Sequence, residues 1–213
     1  MISGRGSNMI AIARACREGA LAAEIPVVIS DRPGVEGITA ARQLGIEAHV
    51  VSRNAAADRN TFELALGECI DAYRPDLVVL AGFMRVLSGE FVGRYTGKML
   101  NIHPSLLPAY RGLHTHQRVL ESGDAVHGAS VHFVTPELDA GPVVLQSRLA
   151  VRAGDTPASL AGRVQATEHV IYSRVISWFA QGRLTWSDDA HACLDGKALE
   201  APVVEEMNGE TSA

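Results

Sequence analysis

The feature that most constrains this chain is an alternation in its first half. Short runs of β-branched and aliphatic residues take turns with longer stretches whose apolar residues recur at helical spacing. Residues 25–30 (IPVVIS), 47–51 (EAHVV) and 75–83 (PDLVVLAGF) read as buried strands. Residues 8–19, 37–45 and 58–74 read as helices, with Gly19 and Gly45 as stops and Asp58 as an N-cap. Strand and helix in strict turn bring each strand back to one sheet in parallel, with helices on both faces. The expected fold class is therefore α/β, a doubly wound, mostly parallel sheet with a Rossmann-like N-terminal half.

The second half is less regular. Residues 97–104 read as a strand ending in polar groups, 105–115 as a loop and 115–123 as a helix. Residues 128–135 and 142–151 read as two strands joined through PELDAG. Thr156 and Pro157 form an N-cap and first-turn pair for a long helix that Gly182 stops. From about residue 187 no periodicity remains, and the end, EEMNGETSA, is expected to fray. No repeat or long linker divides the 213 residues, so one domain is expected, with halves at 1–97 and 98–186 and an extension at 187–213.

Composition excludes some function classes. With 47% hydrophobic and 20% charged residues the chain is globular, and a net charge of −5 offers no broad basic surface for nucleic acid. Cys16, Cys69 and Cys193 are scattered without CxxC spacing, which reads as reduced thiols in a cytoplasmic protein. No apolar run is long enough to span a membrane, and the N-terminus lacks the pattern of a signal peptide.

The opening residues, MISGRGSN, read as a phosphate loop. The GK[ST] of a nucleoside-triphosphate loop is absent. A dinucleotide fingerprint would need a third glycine where Met9 stands, although Asp31 ends a strand where a ribose-binding acid belongs. A monophosphate cradle fits better: Gly4 and Gly6 permit close backbone approach, Ser7 offers a hydroxyl, and the following helix offers its free N–H groups. The plain alternative is a tight turn with a Ser or Asn cap. Only Met1, Ile2 and Ser3 precede the loop, so its strand is expected to be cut short, with the native chain continuing upstream.

A second polar cluster stands in NIHPSLLP, residues 101–108. Asn101 and His103 alternate with Ile102 and so share one face of a strand. Asn can donate to a developing oxyanion, and His can move a proton near neutral pH. Asp139, in a Gly- and Pro-bounded loop, is placed to orient the imidazole. With no Ser or Cys nucleophile beside them, the trio suggests direct transfer rather than a covalent enzyme intermediate. His114, His116 and His132 read as a hydrogen-bonded lining near this strand, and no metal is expected because no ligand spacing converges. His49, His127, His169 and His191 read as surface or packing residues.

GRGSN, VVLAGFMRVLS, NIHPSLLPAYRGLHTH and HGASVHFVTPELDAGPVVLQ together resemble the phosphoribosylglycinamide formyltransferase family, over Ile2 to about Trp186. The resemblance implies the formyltransferase fold and a place in purine biosynthesis. The implied reaction moves a formyl group from 10-formyltetrahydrofolate to the amine of glycinamide ribonucleotide. Asn101, His103 and Asp139 match the catalytic trio. Gly6, Ser7 and Asn8 match the substrate-phosphate loop, and Gln165, Ala166, Thr167 and Glu168 match the helix segment that contacts the ribonucleotide. Arg59, Met84, Arg85, Val86, Leu87 and Asn101 match the folate side, with Thr135, Pro136, Glu137, Leu138 and Asp139. Arg5 stands where Asn is more usual and would add positive charge to the phosphate loop. The implied partners are the ribonucleotide and a reduced folate, with no nucleic acid, membrane or metal; a homodimer is admitted. The competing readings are a formyltetrahydrofolate hydrolase, a methionyl-tRNA formyltransferase and a non-catalytic nucleotide-binding protein. The first two are expected to carry an additional domain.

Overall fold

The computed structural model describes residues 1–187 and 189–207. Six strands make the body: β1 (Val27–Ser30), β2 (Glu47–Val50), β3 (Val78–Leu80), β4 (Met99–His103), β5 (Val126–Phe133) and β6 (Val143–Ala150). The helices are α1 (Ser7–Arg17), α2 (Glu36–Gln43), α3 (Arg59–Asp71), α4 (Gly89–Arg94), α5 (Thr115–Ser122) and α6 (Pro157–Ala180). β1 pairs with β2 in parallel, as does β3 with β4, whereas β5 runs antiparallel to both β4 and β6.

Residues 1–3 join what would otherwise be two sheets. The Ile2 N–H donates to Ile29 O at 2.9 Å on the β1 side. On the β3 side the Met1 carbonyl accepts from Ala81 N at 2.9 Å, and Ser3 N–H donates to Gly82 O at 3.1 Å. The Met1 amino group itself donates to Val79 O at 2.6 Å. A cavity of about 860 Å³ lies between these strands and α6, lined among others by Ile12, Val27, Val79 and Phe179.

The period-2 alternation of each strand divides the core in two. Val28, Leu100 and Ile102 pack with Met9 and Ile12 of α1 and with Leu160, Val164, Ile171 and Val175 of α6. Ile29, Val78, Leu80 and Met99 face the other way, onto Phe62, Leu66 and Ile70 of α3 and Phe91 and Val92 of α4. Local sequence fixes the helix starts. Asp58 accepts from Thr61 N at 2.7 Å, and Thr156 and Ser159 close a capping box ahead of Pro157. Inside the first core Tyr172 of α6 is fully buried, and its hydroxyl meets the carbonyls of Leu100 at 2.9 Å and Leu80 at 3.1 Å.

The C-terminal region corrects the sequence expectation. Residues beyond 187 are not frayed throughout: β7 (Leu184–Trp186), β8 (Ala192–Leu194) and β9 (Lys197–Ala198) form a small antiparallel sheet. β10 (Val203–Glu206) adds a parallel edge to β6, so Glu205 and Glu206 of the supposed tail are strand residues. They pair with Arg174 and with Arg148. β1 to β3 are as short but announce themselves as apolar runs alternating with helices; β7 to β10 follow no such alternation, and tertiary pairing makes them visible. Residues 208–213 lie outside the described residues. The six-residue α4, with two glycines, likewise has no periodicity to announce it.

Two buried histidines of β5 make stability depend on pH. Burial pushes His127 and His132 down to about 4 from an ordinary 6.5. Both are neutral when folded, while the unfolded chain takes up protons below about 6.5, so their contribution is present above that pH and lost as pH falls towards 4. Urea unfolding is expected to show a loss of up to about 2 kcal/mol per histidine between pH 7 and 5. His127→Gln should flatten that fall, and an unchanged slope would contradict the assignment. Tyr172→Phe is expected to cost about 1–2 kcal/mol in the same assay, because the one hydroxyl hydrogen shared between two buried carbonyls is lost.

Candidate active site

β4 presents Asn101 and His103 on the face shared with Met99, as the alternation requires. The cross-strand partner of Asn101 is His132 of β5. Asn101 Nδ2 lies 3.1 Å from His132 Nε2, and His132 Nδ1 lies 2.8 Å from the Phe133 carbonyl. A carbonyl only accepts, so the ring carries its hydrogen on Nδ1 and takes the Asn101 amide hydrogen at Nε2. Burial, which keeps this ring neutral, is what lets it act as the acceptor.

The turn after β5 folds back along β4 and brings Asp139 to the same place. Asp139 Oδ2 lies 3.5 Å from His103 Nδ1 and accepts from Gly112 N at 2.9 Å; Oδ1 lies 3.9 Å from His132 Nε2. Asp139 itself has a left-handed backbone, φ 49°, which a short polar side chain tolerates. His103 is buried, and its Nε2 donates to the Tyr110 carbonyl at 3.0 Å. A cleft of about 90 Å³ opens beside this cluster, lined by Arg85, Val86, Leu87, Asn101, His132 and residues 134–139. His103 stands behind that wall and communicates with it through Asp139.

The stretch 83–88 has no regular secondary structure, so side chains set its course. Arg59 Nη2 donates to Val86 O at 2.8 Å, and Glu63 accepts from Ser88 N at 2.8 Å. Met84 and Val86 are exposed, unlike ordinary core residues, whereas Leu87 is buried in the α3–α4 core. Across the cleft, Glu137 reaches Arg111 at 2.7 Å, Leu138 is exposed and Pro136 packs towards Gly89.

The loop 4–8 forms the other part of the site. Gly6 caps α1 in a left-handed conformation, φ 74°, and Ser7 opens the helix. A side chain at Gly6 would meet Gly37 Cα at 3.1 Å, and one at Gly37 would meet Gly4 O at 2.8 Å, so the loop is pressed against the start of α2. Asn8 Nδ2 donates to Glu168 Oε2 at 2.8 Å. Glu168 is buried, which pushes its carboxyl up, with the Asn8 bond working against that. Asn8 Oδ1 is buried without a hydrogen-bond partner. Ser3 ties this half to the other, since its hydroxyl accepts from Met84 N at 2.8 Å.

Not every expected residue converges. Thr167 turns from the loop to β6, where its hydroxyl meets Ser147 at 2.7 Å. Gln165 and Ala166 are half-buried on α6. His114 is exposed, and His116 pairs with buried His127 at 2.9 Å instead of lining β4. Among the described residues no cluster of three or more His, Cys, Asp or Glu is arranged to hold a metal. The roles of the Tyr110 carbonyl, Gly112 N–H and Ser3 escaped sequence reading, because two are main-chain atoms and the third reads as strand. Of the three histidines expected to line β4, His132 alone does so, opposite Asn101 and bonded to it.

Comparison with known proteins accords with this arrangement. The family model described as formyl transferase matches residues 1–176. The chain is 51% identical over 199 residues to a phosphoribosylglycinamide formyltransferase of Escherichia coli (strain K12), covering 93% of each chain. A solved phosphoribosylglycinamide formyltransferase from Coxiella burnetii superposes with a TM-score of 0.91 at 48% identity, covering 95% of each chain. A formyltetrahydrofolate deformylase from Pseudomonas putida gives a TM-score of 0.81 at 25% identity, over 91% of this chain and 68% of that one. On the extent of the family match and the identity to its relatives, this chain belongs to the formyl transferase family.

Proposed function

We propose that the chain transfers the formyl group of 10-formyltetrahydrofolate to the amine of glycinamide ribonucleotide, in purine biosynthesis. The observation that carries this reading is the convergence of Asn101, His103 and Asp139 beside one cleft, in a chain without a nucleophilic Ser or Cys among them. The amine nitrogen attacks the formyl carbon, and the carbonyl oxygen gains negative charge in a tetrahedral adduct. The Asn101 amide donates to that oxygen. The adduct collapses by breaking the bond from carbon to folate N10, and the proton lost by the amine ends on N10. His103, oriented by Asp139, stabilises the adduct and serves that proton movement. Its Nε2 is held by the Tyr110 carbonyl, so in this reading the 105–114 loop shifts as substrates bind and releases that nitrogen.

The ribonucleotide phosphate sits on Gly6, Ser7 and the free N–H groups of α1, with Arg5 adding charge beside them. Glu168, oriented by Asn8, accepts from the substrate's hydroxyls, with Gln165, Ala166 and Thr167 shaping that turn of α6. The flat pterin lies in the cleft between residues 84–87 and 135–139, with Arg59 supporting the wall from α3. The half-buried free cysteines accord with a cytoplasmic protein. The likeness to a deformylase supports a second reading, in which water takes the place of the amine.

One assay separates the two. Loss of formyl from the folate is expected only when glycinamide ribonucleotide is present; equal loss without it would establish hydrolysis. His103→Ala is expected to lower kcat at least ~10²-fold, and near-normal turnover would remove its role. Asp139→Asn should lower kcat while the unfolding midpoint stays close to that of the parent. Ser7→Ala should raise KM for the ribonucleotide by about 5-fold or more and leave KM for the folate in place.

A further inference from the structure

A buried carboxylate needs a charged partner or several donors to hold it. Asp31, directly after β1, is such a group: its side chain is 0% exposed. The position looked from sequence like a ribose-binding acid, but a side chain sealed from solvent cannot meet a ribose. Its Oδ2 instead takes Arg85 Nε at 2.6 Å, while Arg32 Nε stands off at 3.8 Å with its side chain half exposed. Oδ1 is buried with no hydrogen-bond partner. Arg85 is therefore the principal partner of this charge.

Arg85 belongs to the stretch 83–88, which has no ladder of its own. Ties on two sides fix that stretch. To α3, Arg59 donates to Val86 O, and Glu63 accepts from both Ser88 N and the Ser88 hydroxyl. Two ties run to the N-terminal strands, from Met84 N to Ser3 Oγ and from Arg85 to Asp31. The Asp31 tie is the one between opposite charges on the N-terminal side, and it holds the residue next to exposed Met84 and Val86.

We propose that Asp31 is a positioning residue for the formyl donor. It anchors Arg85 and thereby sets the main chain of residues 84–87 at the distance from β4 that the donor's ring requires. The inference rests on the reading that 84–87 forms one wall of the donor site.

The test is steady-state kinetics of Asp31→Asn, which keeps the shape and removes the charge. KM for 10-formyltetrahydrofolate is expected to rise by about 5- to 30-fold. KM for the ribonucleotide and kcat at saturating donor should stay within about 3-fold. Arg85→Met and the double variant Asp31→Asn/Arg85→Met, which leaves no buried charge unpaired, complete a cycle. The donor KM of the double variant should be no higher than that of Arg85→Met, because Asp31 acts only through Arg85 and the second substitution removes the charge that the first leaves unpaired. A donor KM unchanged in Asp31→Asn, an equal rise in both KM values, or an additive effect in the double variant would overturn the proposal. Should Asp31→Asn fail to fold, the comparison of the double variant with Arg85→Met decides alone. Val86→Trp separates the underlying reading: its bulk should raise the donor KM whatever Asp31 does. If it does not, the donor site lies elsewhere and both statements fall; if it does while Asp31→Asn has no effect, only the positioning role falls.

Discussion

The architecture depends on three residues. Met1, Ile2 and Ser3 supply the hydrogen bonds that make one sheet of β1 and β3, and no other segment does so among the described residues. Backbone groups at the middle of a sheet have no water to turn to, so these bonds are strongly favoured once the neighbours are buried. Ile2, with no exposed surface, is the residue that plugs this junction into the core formed by α1 and α6.

The same segment unites the two parts of the site. Ser3 ends the stitched strand, receives Met84 N–H and is followed by the loop 4–8. The loop's geometry and the cleft's wall are thus set from a common origin. β4 adds the third element: Leu100 and Ile102 of one face enter the α1–α6 core, and the other face carries Met99 into the second core and Asn101 and His103 to the site. Tyr172 fastens that strand and β3 to α6 from the apolar side, so polar chemistry on one face is backed by a rigid contact on the other.

Much of this was legible because it rests on period and punctuation. The alternation of β-branched runs with helical stretches gave the strands and helices of the first half, and Asp58, Thr156 and Pro157 marked helix starts that the structure keeps. Asn101, His103 and Asp139 could be grouped because two share a strand face and the third stands in a turn that must fold back. The small C-terminal strands were not legible, since they depend on pairing with β6 and with each other and on packing of Leu184 and Ala192 into the core. The role of Asp31 was not legible either: its strand-end position fitted only the dinucleotide reading that Met9 ruled against, and the burial and Arg85 disclose an internal partner.

Gly37 gives the loop 4–8 a property its own residues do not reveal. It lies in α2, well away in sequence, yet its missing side chain is what leaves room for the Gly4 carbonyl and for Ile2 Cδ1, which a Cβ would approach to 2.8 and 2.5 Å. The curvature of the loop is therefore written jointly by two distant glycine positions. A methyl group at 37 would act as a lever on the phosphate cradle and on the stitched strand at once. A helix residue with no functional group of its own thus sets the shape of a binding loop, and tolerance to change at this end of α2 is governed by the loop it faces.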